Sequence, residues 1–223
     1  MIVAVYGGTF DPPHSTHLAI ARAVLERGLA DKVLFVLSAM PPHKLGRQIS
    51  PYEDRLAMLK LAIQGEPRFE ISEIERERLP RPSYTIDTLD SLSAASPNDS
   101  FALLIGSDSL NALHTWRRGS ELASRYRIIS YPRKGEPATL ESLKAHWSEE
   151  IAEKLRSSLL EGVPETDLSS SSLRSALANS GNAGKCITEA VLSCIRERGL
   201  YLEPRKDKQQ KPESIAYAAK EED

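Results

Sequence analysis

The sequence predicts an open α/β fold: a mainly parallel sheet flanked by helices, with a C-terminal helical subregion. Three observations predict it. Short apolar runs recur, as Ile2–Tyr6, Val33–Leu37 (VLFVL), Phe101–Ile105 (FALLI) and Arg127–Ser130 (RIIS), and strands that lack polar alternation are those covered on both faces. Segments of helical spacing alternate with them, the pattern that puts helices on a parallel sheet. At 223 residues the chain is long enough for one good core.

Each element has a local reason. Leu18 to Leu25 carries an apolar side from Leu18, Ala21, Ala23 and Val24, and Gly28 marks its stop. Ala39–Gln48 is polar and broken by proline, hence a loop. Pro51 opens a helix from Tyr52 to Gln64. Arg68–Ile71 is a short strand, Ser83–Thr85 a loop after Pro80 and Pro82, and Ile86 begins the next helix. Leu110–Leu122 and Thr139–Ser158 read as single helices, the second mostly exposed. Leu173–Ala178 and Thr188–Arg198 close the fold. The expected domain is therefore 1–202. Residues 203–223 are charged, mixed in sign and poor in large apolar groups, which predicts a mobile tail.

Composition excludes several classes. With 29 basic and 31 acidic side chains the formal charge is −2, so no global field recruits nucleic acid or an anionic membrane. A phosphate ligand must be held by local groups. No apolar run approaches the roughly 20 residues of a membrane span, and the start, MIVAVYGG, lacks the basic and long apolar regions of a secretory signal. Cys186 and Cys194 fall eight apart in a predicted helix, about 12 Å along its axis, beyond disulfide reach. The expected compartment is the cytoplasm.

The stretch GGTFDPPHSTH, Gly7 to His17, is richer than a connection needs. It follows the first strand, at the sheet edge where open α/β folds bind ligands. Gly7 and Gly8 let backbone N–H groups approach an anion. Pro12 and Pro13 stiffen the turn, and a helix opening near Ser15 or Thr16 aims its positive end at the same space. His14 and His17, three apart, share one side of that first turn. The spacing is neither GxGxxG nor a Walker P-loop, and no carboxylate or cysteine nearby completes a metal ligand set. The metal expectation for protein ligands is none. A second segment, DLSSSSLRSAL from Asp167 to Leu177, has more serines than a helix cap needs, with Arg174 one turn in.

These segments carry a resemblance. Gly8, Phe10, Pro12, His14 and His17 are similar to the GxFxPxHxGH signature of the nucleotidyltransferase superfamily, with Thr16 in place of its glycine. Leu168 to Arg174 resembles the ISSTxIR motif that holds ATP triphosphate in that superfamily. PPHK (Pro41–Lys44), PSYTIDTL (Pro82–Leu89) and IGSDSLNALHTWRRGSEL (Ile105–Leu122) follow in order, as does CIRERGLYL near the end. Together, over about residues 1–202, they look like the bacterial nicotinate-nucleotide adenylyltransferases, with a Rossmann-like sheet. Phosphopantetheine adenylyltransferases are usually shorter, carry Thr at the first histidine position and lack the PPHK and SYT segments.

The resemblance implies transfer of AMP from ATP to nicotinate mononucleotide, giving nicotinate adenine dinucleotide and pyrophosphate. It implies ATP contacts from Gly7, Gly8, Thr9, Phe10, His14, His17, Gly106, Asp108, Ser170, Ser171 and Arg174, with His14, His17 and Arg174 as the catalytic group. It implies mononucleotide contacts from Lys44, Ser83, Tyr84, Thr85 and Trp116, and Mg²⁺ arriving with ATP. The chemistry fits the absence of a triad or carboxylate dyad: the attacking phosphate monoester, with a second pKa near 6, is already ionised at neutral pH. Two rival readings stand at this stage. One is another acceptor, nicotinamide mononucleotide or phosphopantetheine. The other is a nucleotide-binding protein without turnover, in which Thr16 fills the space the glycine leaves. Oligomeric state has no signature in the sequence.

Overall fold

The computed structural model describes residues 1–41, 48–163, 168–180 and 183–203. The apolar runs form five parallel strands: β1 (Ile2–Gly8), β2 (Lys32–Leu37), β3 (Phe69–Ser72), β4 (Ser100–Gly106) and β5 (Arg127–Tyr131). Their order in the sheet is β3-β2-β1-β4-β5. β1 is central, and the chain's direction of travel across the sheet reverses there, which makes the β1/β4 boundary the switch point. The register records an opening at that boundary. β1 and β4 pair only from Ile2↔Ser100 to Val5↔Leu103. Meanwhile β1 stays with β2 as far as Gly8↔Leu37 and β4 with β5 as far as Gly106↔Tyr131. Each of the two central strands therefore parts from its neighbour three residues before its end.

Helices cover both faces, which is why the strands are apolar throughout. Ala4, Tyr6 and Phe35 point to one core, shared with α1 (Ser15–Glu26), α2 (Tyr52–Ile63), α8 (Ser170–Ser180) and α9 (Glu189–Glu197). Val3, Val5, Leu34 and Leu103 point to the other. That side is covered by α3 (Thr85–Ala95), α4 (Ser107–Ala112), α5 (Gly119–Arg125), α6 (Leu140–Lys144) and α7 (Glu149–Ser157). The expected open α/β class with a C-terminal helical region is the observed architecture. Among the described residues no helix is long and apolar enough to cross a membrane.

Four expectations about elements need correction. The Leu110–Leu122 segment is a helix, a 3-10 turn (Leu113–Thr115) and a second helix. Arg118 turns the chain at φ 54, and any side chain on Gly119 would strike the Leu113 carbonyl, so the path doubles back where periodicity suggested continuity. The Thr139–Ser158 segment splits into α6 and α7; it is mostly exposed, as expected, with Leu143, Trp147, Ala152 and Leu155 buried. Thr139 caps the start of α6, and Ser148 caps α7 at the break, where its hydroxyl accepts from the Ile151 amide. α3 begins at Thr85, with Tyr84 as its cap residue, so Thr85 is not in the preceding loop. Cys186 ends a 3-10 turn and Cys194 lies in α9; the two do not share a helix, and both are free thiols.

Candidate active site

The loop after β1 is held in place by its own aromatic residue. Phe10 is buried and left-handed at φ 46, and its ring packs edge-on against Tyr6, His17 and Phe35. A Cβ on Gly8 would sit 2.9 Å from that ring, so Gly8 is small to admit Phe10. A Cβ on Gly7 would meet nothing within 4 Å, so the open approach belongs to Gly7. The Asp11–Pro12 peptide is cis. α1 then starts with an unusual cap: His14 stands at the N-cap, and its backbone N–H donates to Nδ1 of His17 at 3.1 Å. An accepting Nδ1 leaves the proton of neutral His17 on Nε2, a ready donor. The two imidazoles lie with centroids 3.7 Å apart. His14 is buried, its Nδ1 has no hydrogen-bond partner, and its pKa falls to about 4. Burial is the first cause and the nearby Arg133 charge the second. At neutral pH His14 is an uncharged donor and acceptor.

The serine run divides its labour. Ser169 and Ser172 cap α8 reciprocally, Ser172 N–H to Ser169 Oγ at 3.1 Å and Ser169 N–H to Ser172 Oγ at 3.2 Å. That leaves Ser170 and Ser171 for other work. Ser170 Oγ donates to the Pro12 carbonyl at 3.0 Å, and Arg174 Nη1 donates to the Asp11 carbonyl at 2.9 Å. Arg174 Nη2 reaches Ser171 Oγ at 3.0 Å. Two segments some 160 residues apart in sequence are thereby docked side by side, with the N-termini of α1 and α8 meeting at the glycine loop. Helix openings attract anions through their unpaired amides and dipole.

Across the crevice β4 ends at Gly106, which caps α4. A side chain there would collide with Asp108 and Arg133. Asp108 lies in the first turn of α4, with Oδ2 3.7 Å from Arg133 Nε. Among the described residues there is no cluster of three His, Cys, Asp or Glu able to hold a metal. Asp108 stands at the crevice without such a set.

The mononucleotide candidates divide. Tyr84 and Thr85 form the opening of α3, whose first amides have no acceptor within the helix. Trp116 is half-buried, closes the 3-10 turn and packs on the same core as Tyr84; it is not on a helix. Ser83 is buried, and its N–H donates to the Met40 carbonyl at 3.1 Å, so its position is that of a strut beneath the loop. Lys44 lies outside the described residues.

Sequence reasoning missed four residues. Arg133 follows β5, and the strand order itself would have marked the carboxyl end of β5 as part of the site. Its guanidinium lies within electrostatic range of Tyr131, His14 and Asp108. Arg55 is buried on α2 and donates to three carbonyls, Thr9 (3.0 Å), Ser38 (2.8 Å) and Ser50 (3.0 Å). Asp11 is buried and accepts from Tyr201 Oη at 2.6 Å and Ser50 N–H at 3.2 Å. Nothing in the charged opening of α2 or in GLYL distinguishes these residues from surface ones.

A parallel sheet parted at its switch point, with two helix openings and a pair of imidazoles facing the gap, defines a nucleotide-handling α/β protein. The chain belongs to the cytidylyltransferase-like family, whose model matches residues 5–176. It is 37% identical over 199 residues to a "Probable nicotinate-nucleotide adenylyltransferase" of Geobacillus thermodenitrificans, covering 89% of this chain and 85% of that one. A protein of the same name from Solibacter usitatus is 37% identical over 202 residues, covering 90% and 100%. Among solved structures, a nicotinic acid mononucleotide adenylyltransferase of Plasmodium falciparum complexed with NaAD superposes with a TM-score of 0.72 at 19% identity. It covers 90% of this chain and 97% of that one, a likeness of fold.

Proposed function

We propose that the chain is a nicotinate-nucleotide adenylyltransferase, joining the AMP moiety of ATP to nicotinate mononucleotide with release of pyrophosphate. Its homologues at about 37% identity over most of the chain bear that activity in their names. The observation that carries the site assignment is the docking of the α8 start onto the β1–α1 loop through Ser170 and Arg174. It gives one triphosphate two helix openings at once.

In the reaction a phosphate oxygen of the mononucleotide attacks the α-phosphorus of ATP. The new O–P bond forms as the bond from the α-phosphorus to the bridging oxygen breaks, and the electron pair leaves on pyrophosphate. The nucleophile is already anionic, so no base is needed. The task is alignment and charge stabilisation. His17 donates from Nε2 to the α-phosphate, its ring held by the bond that Nδ1 accepts from His14 N–H. His14, neutral and buried, donates from the same face. Ser170, Ser171 and Arg174 receive the β- and γ-phosphates by exchanging their present partners for phosphate oxygens. Gly7, Thr9 and Phe10 present backbone, while Gly8 keeps Phe10 seated. Asp108 meets a ribose hydroxyl or a water on Mg²⁺, and Arg133 adds positive charge at the same rim. Mg²⁺, when bound with ATP, offsets charge on the phosphates. Trp116 stacks on the pyridine ring and the α3 opening at Tyr84 and Thr85 receives its carboxylate. Lys44 pairs with the mononucleotide phosphate.

The test is pyrophosphate release with ATP and, in turn, nicotinate mononucleotide, nicotinamide mononucleotide and phosphopantetheine. Release fastest with the nicotinate compound is expected. Preference for another acceptor reassigns the substrate, and no release with any of them leaves a binding protein without turnover.

A further inference from the structure

Beside Trp116 lie two arginines with opposite surroundings. Arg118 is saturated: its guanidinium faces Asp87 at 3.7 Å, Asp90 at 3.1 Å and Glu121 at 2.6 Å. Arg125 shares Asp90 and Glu121 with it. Arg117 has no carboxylate partner among the described residues. Its Cζ instead stands 4.8 Å from the centroid of the Tyr84 ring, and Tyr84 is the residue that opens α3. A guanidinium laid on an aromatic face is oriented through its plane, while its N–H donors point outward from its edges. Arg117 is therefore an exposed cation set against the Tyr84 ring at the start of α3, next in the chain to Trp116 and without a carboxylate partner among the described residues.

We infer that the Arg117 side chain makes the site select the pyridine carboxylate over the carboxamide. The inference rests on the functional reading above, and it names the side chain that sets preference at that subsite. Acid and amide have nearly the same shape. Backbone N–H groups at the α3 opening donate to a carbonyl oxygen of either, so amides alone discriminate weakly. A cation adds attraction for the charged acid only, and an amide –NH₂ turned toward it meets a second donor with no acceptor between them. Arg118 cannot supply this, because three carboxylates already balance it together with Arg125.

The experiment compares the parent enzyme with Arg117→Gln and Arg117→Lys. It measures kcat and KM for nicotinate mononucleotide and nicotinamide mononucleotide at saturating ATP. Arg117→Gln should lower kcat/KM for the acid by about 10- to 30-fold, mainly through KM, the range of one charge-assisted hydrogen bond. The amide value should move by less than about twofold against that scale. Arg117→Lys should recover most of the acid preference. Raising ionic strength from about 0.05 to about 0.5 M should erode the acid/amide ratio of the parent and leave that of Arg117→Gln flat. A merely structural Arg117, propping Tyr84, would depress both substrates together and give no salt signature, which overturns the inference. So does an unchanged ratio in Arg117→Gln. A parent that turns over neither mononucleotide overturns the functional reading and the inference with it, whereas a parent with robust turnover and an unmoved ratio overturns the inference alone.

Discussion

His14 links the stability of the fold to the chemistry of the crevice. Its pKa is lowered from 6.5 to about 4, first by burial and then by Arg133. In the unfolded chain the imidazole takes up a proton as pH falls through about 6.5, while the folded chain holds it neutral until about pH 4. Between those values the unfolded state binds more protons, so stability rises with pH across that window. Stability attributable to this group is fully present above about pH 6.5 and is lost as pH falls toward 4. By pH 5 the loss is about 2 kcal/mol, and below the folded pKa it levels off near about 3 kcal/mol. The assay is urea unfolding of the parent and of His14→Gln at about pH 7.5 and pH 5.0, where the linkage is largest. Carboxylates contribute to both chains, so the difference of differences isolates the imidazole. His14→Gln should lose about 2 kcal/mol less than the parent on acidification. Equal losses would refute the claim that a neutral, desolvated histidine sits at the start of α1.

Three further outcomes follow from the same geometry. Arg55→Met removes the donor shared by the Thr9, Ser38 and Ser50 carbonyls and should cost about 3–5 kcal/mol in urea unfolding; a loss under about 1 kcal/mol would show that those loops hold without it. His17→Ala should lower kcat by about 10²–10³-fold while ATP still binds, the scale of one transition-state donor; parent-like kcat/KM would remove His17 from the reaction. Trp116→Ala should raise KM for the mononucleotide far more than for ATP, in steady-state assays varying each substrate, and equal changes would dissociate the indole from the pyridine.

The sheet was legible because burial on both faces leaves a simple mark, a short run with no polar alternation, and VLFVL and FALLI carry it in full. The helix breaks were not, because periodicity is blind to backbone reversals: Arg118 adopts a left-handed conformation that no arginine advertises, and Trp147 is buried where its neighbours look solvated. The candidate site stands out in the sequence where side-chain chemistry is concentrated. Two histidines behind a glycine pair and a serine run with an arginine are informative at short range, and these segments are neighbours in space. Its supports do not, since a buried arginine or tyrosine is marked only by tertiary partners. The roles given to the four serines illustrate the limit: sequence shows a surplus over capping, and only the packed structure assigns which pair caps α8, which serine reaches the loop and which holds Arg174.

Asp11 explains why that loop can be both open and rigid. Its carbonyl accepts from Arg174 on α8 and its carboxylate accepts from Tyr201, beyond α9, and from the Ser50 amide before α2. Arg55 adds a bond from α2 to Thr9, and Gly8 O accepts the Ser38 amide at 2.9 Å from the end of β2. The turn is thus fastened from outside on nearly every side except the one that faces the parted strands. Residues on that side, Gly7, His14 and His17, are the donors proposed for the ligand, and His17 also holds backbone through its ring-to-backbone bond. Preorganised donors lower a barrier only if they do not reorient as charge develops. Distributing the fastening over α2, α8 and the segment after α9 meets that condition, and on the proposed function it gives a residue as distant as Tyr201 a part in holding the loop after the first strand.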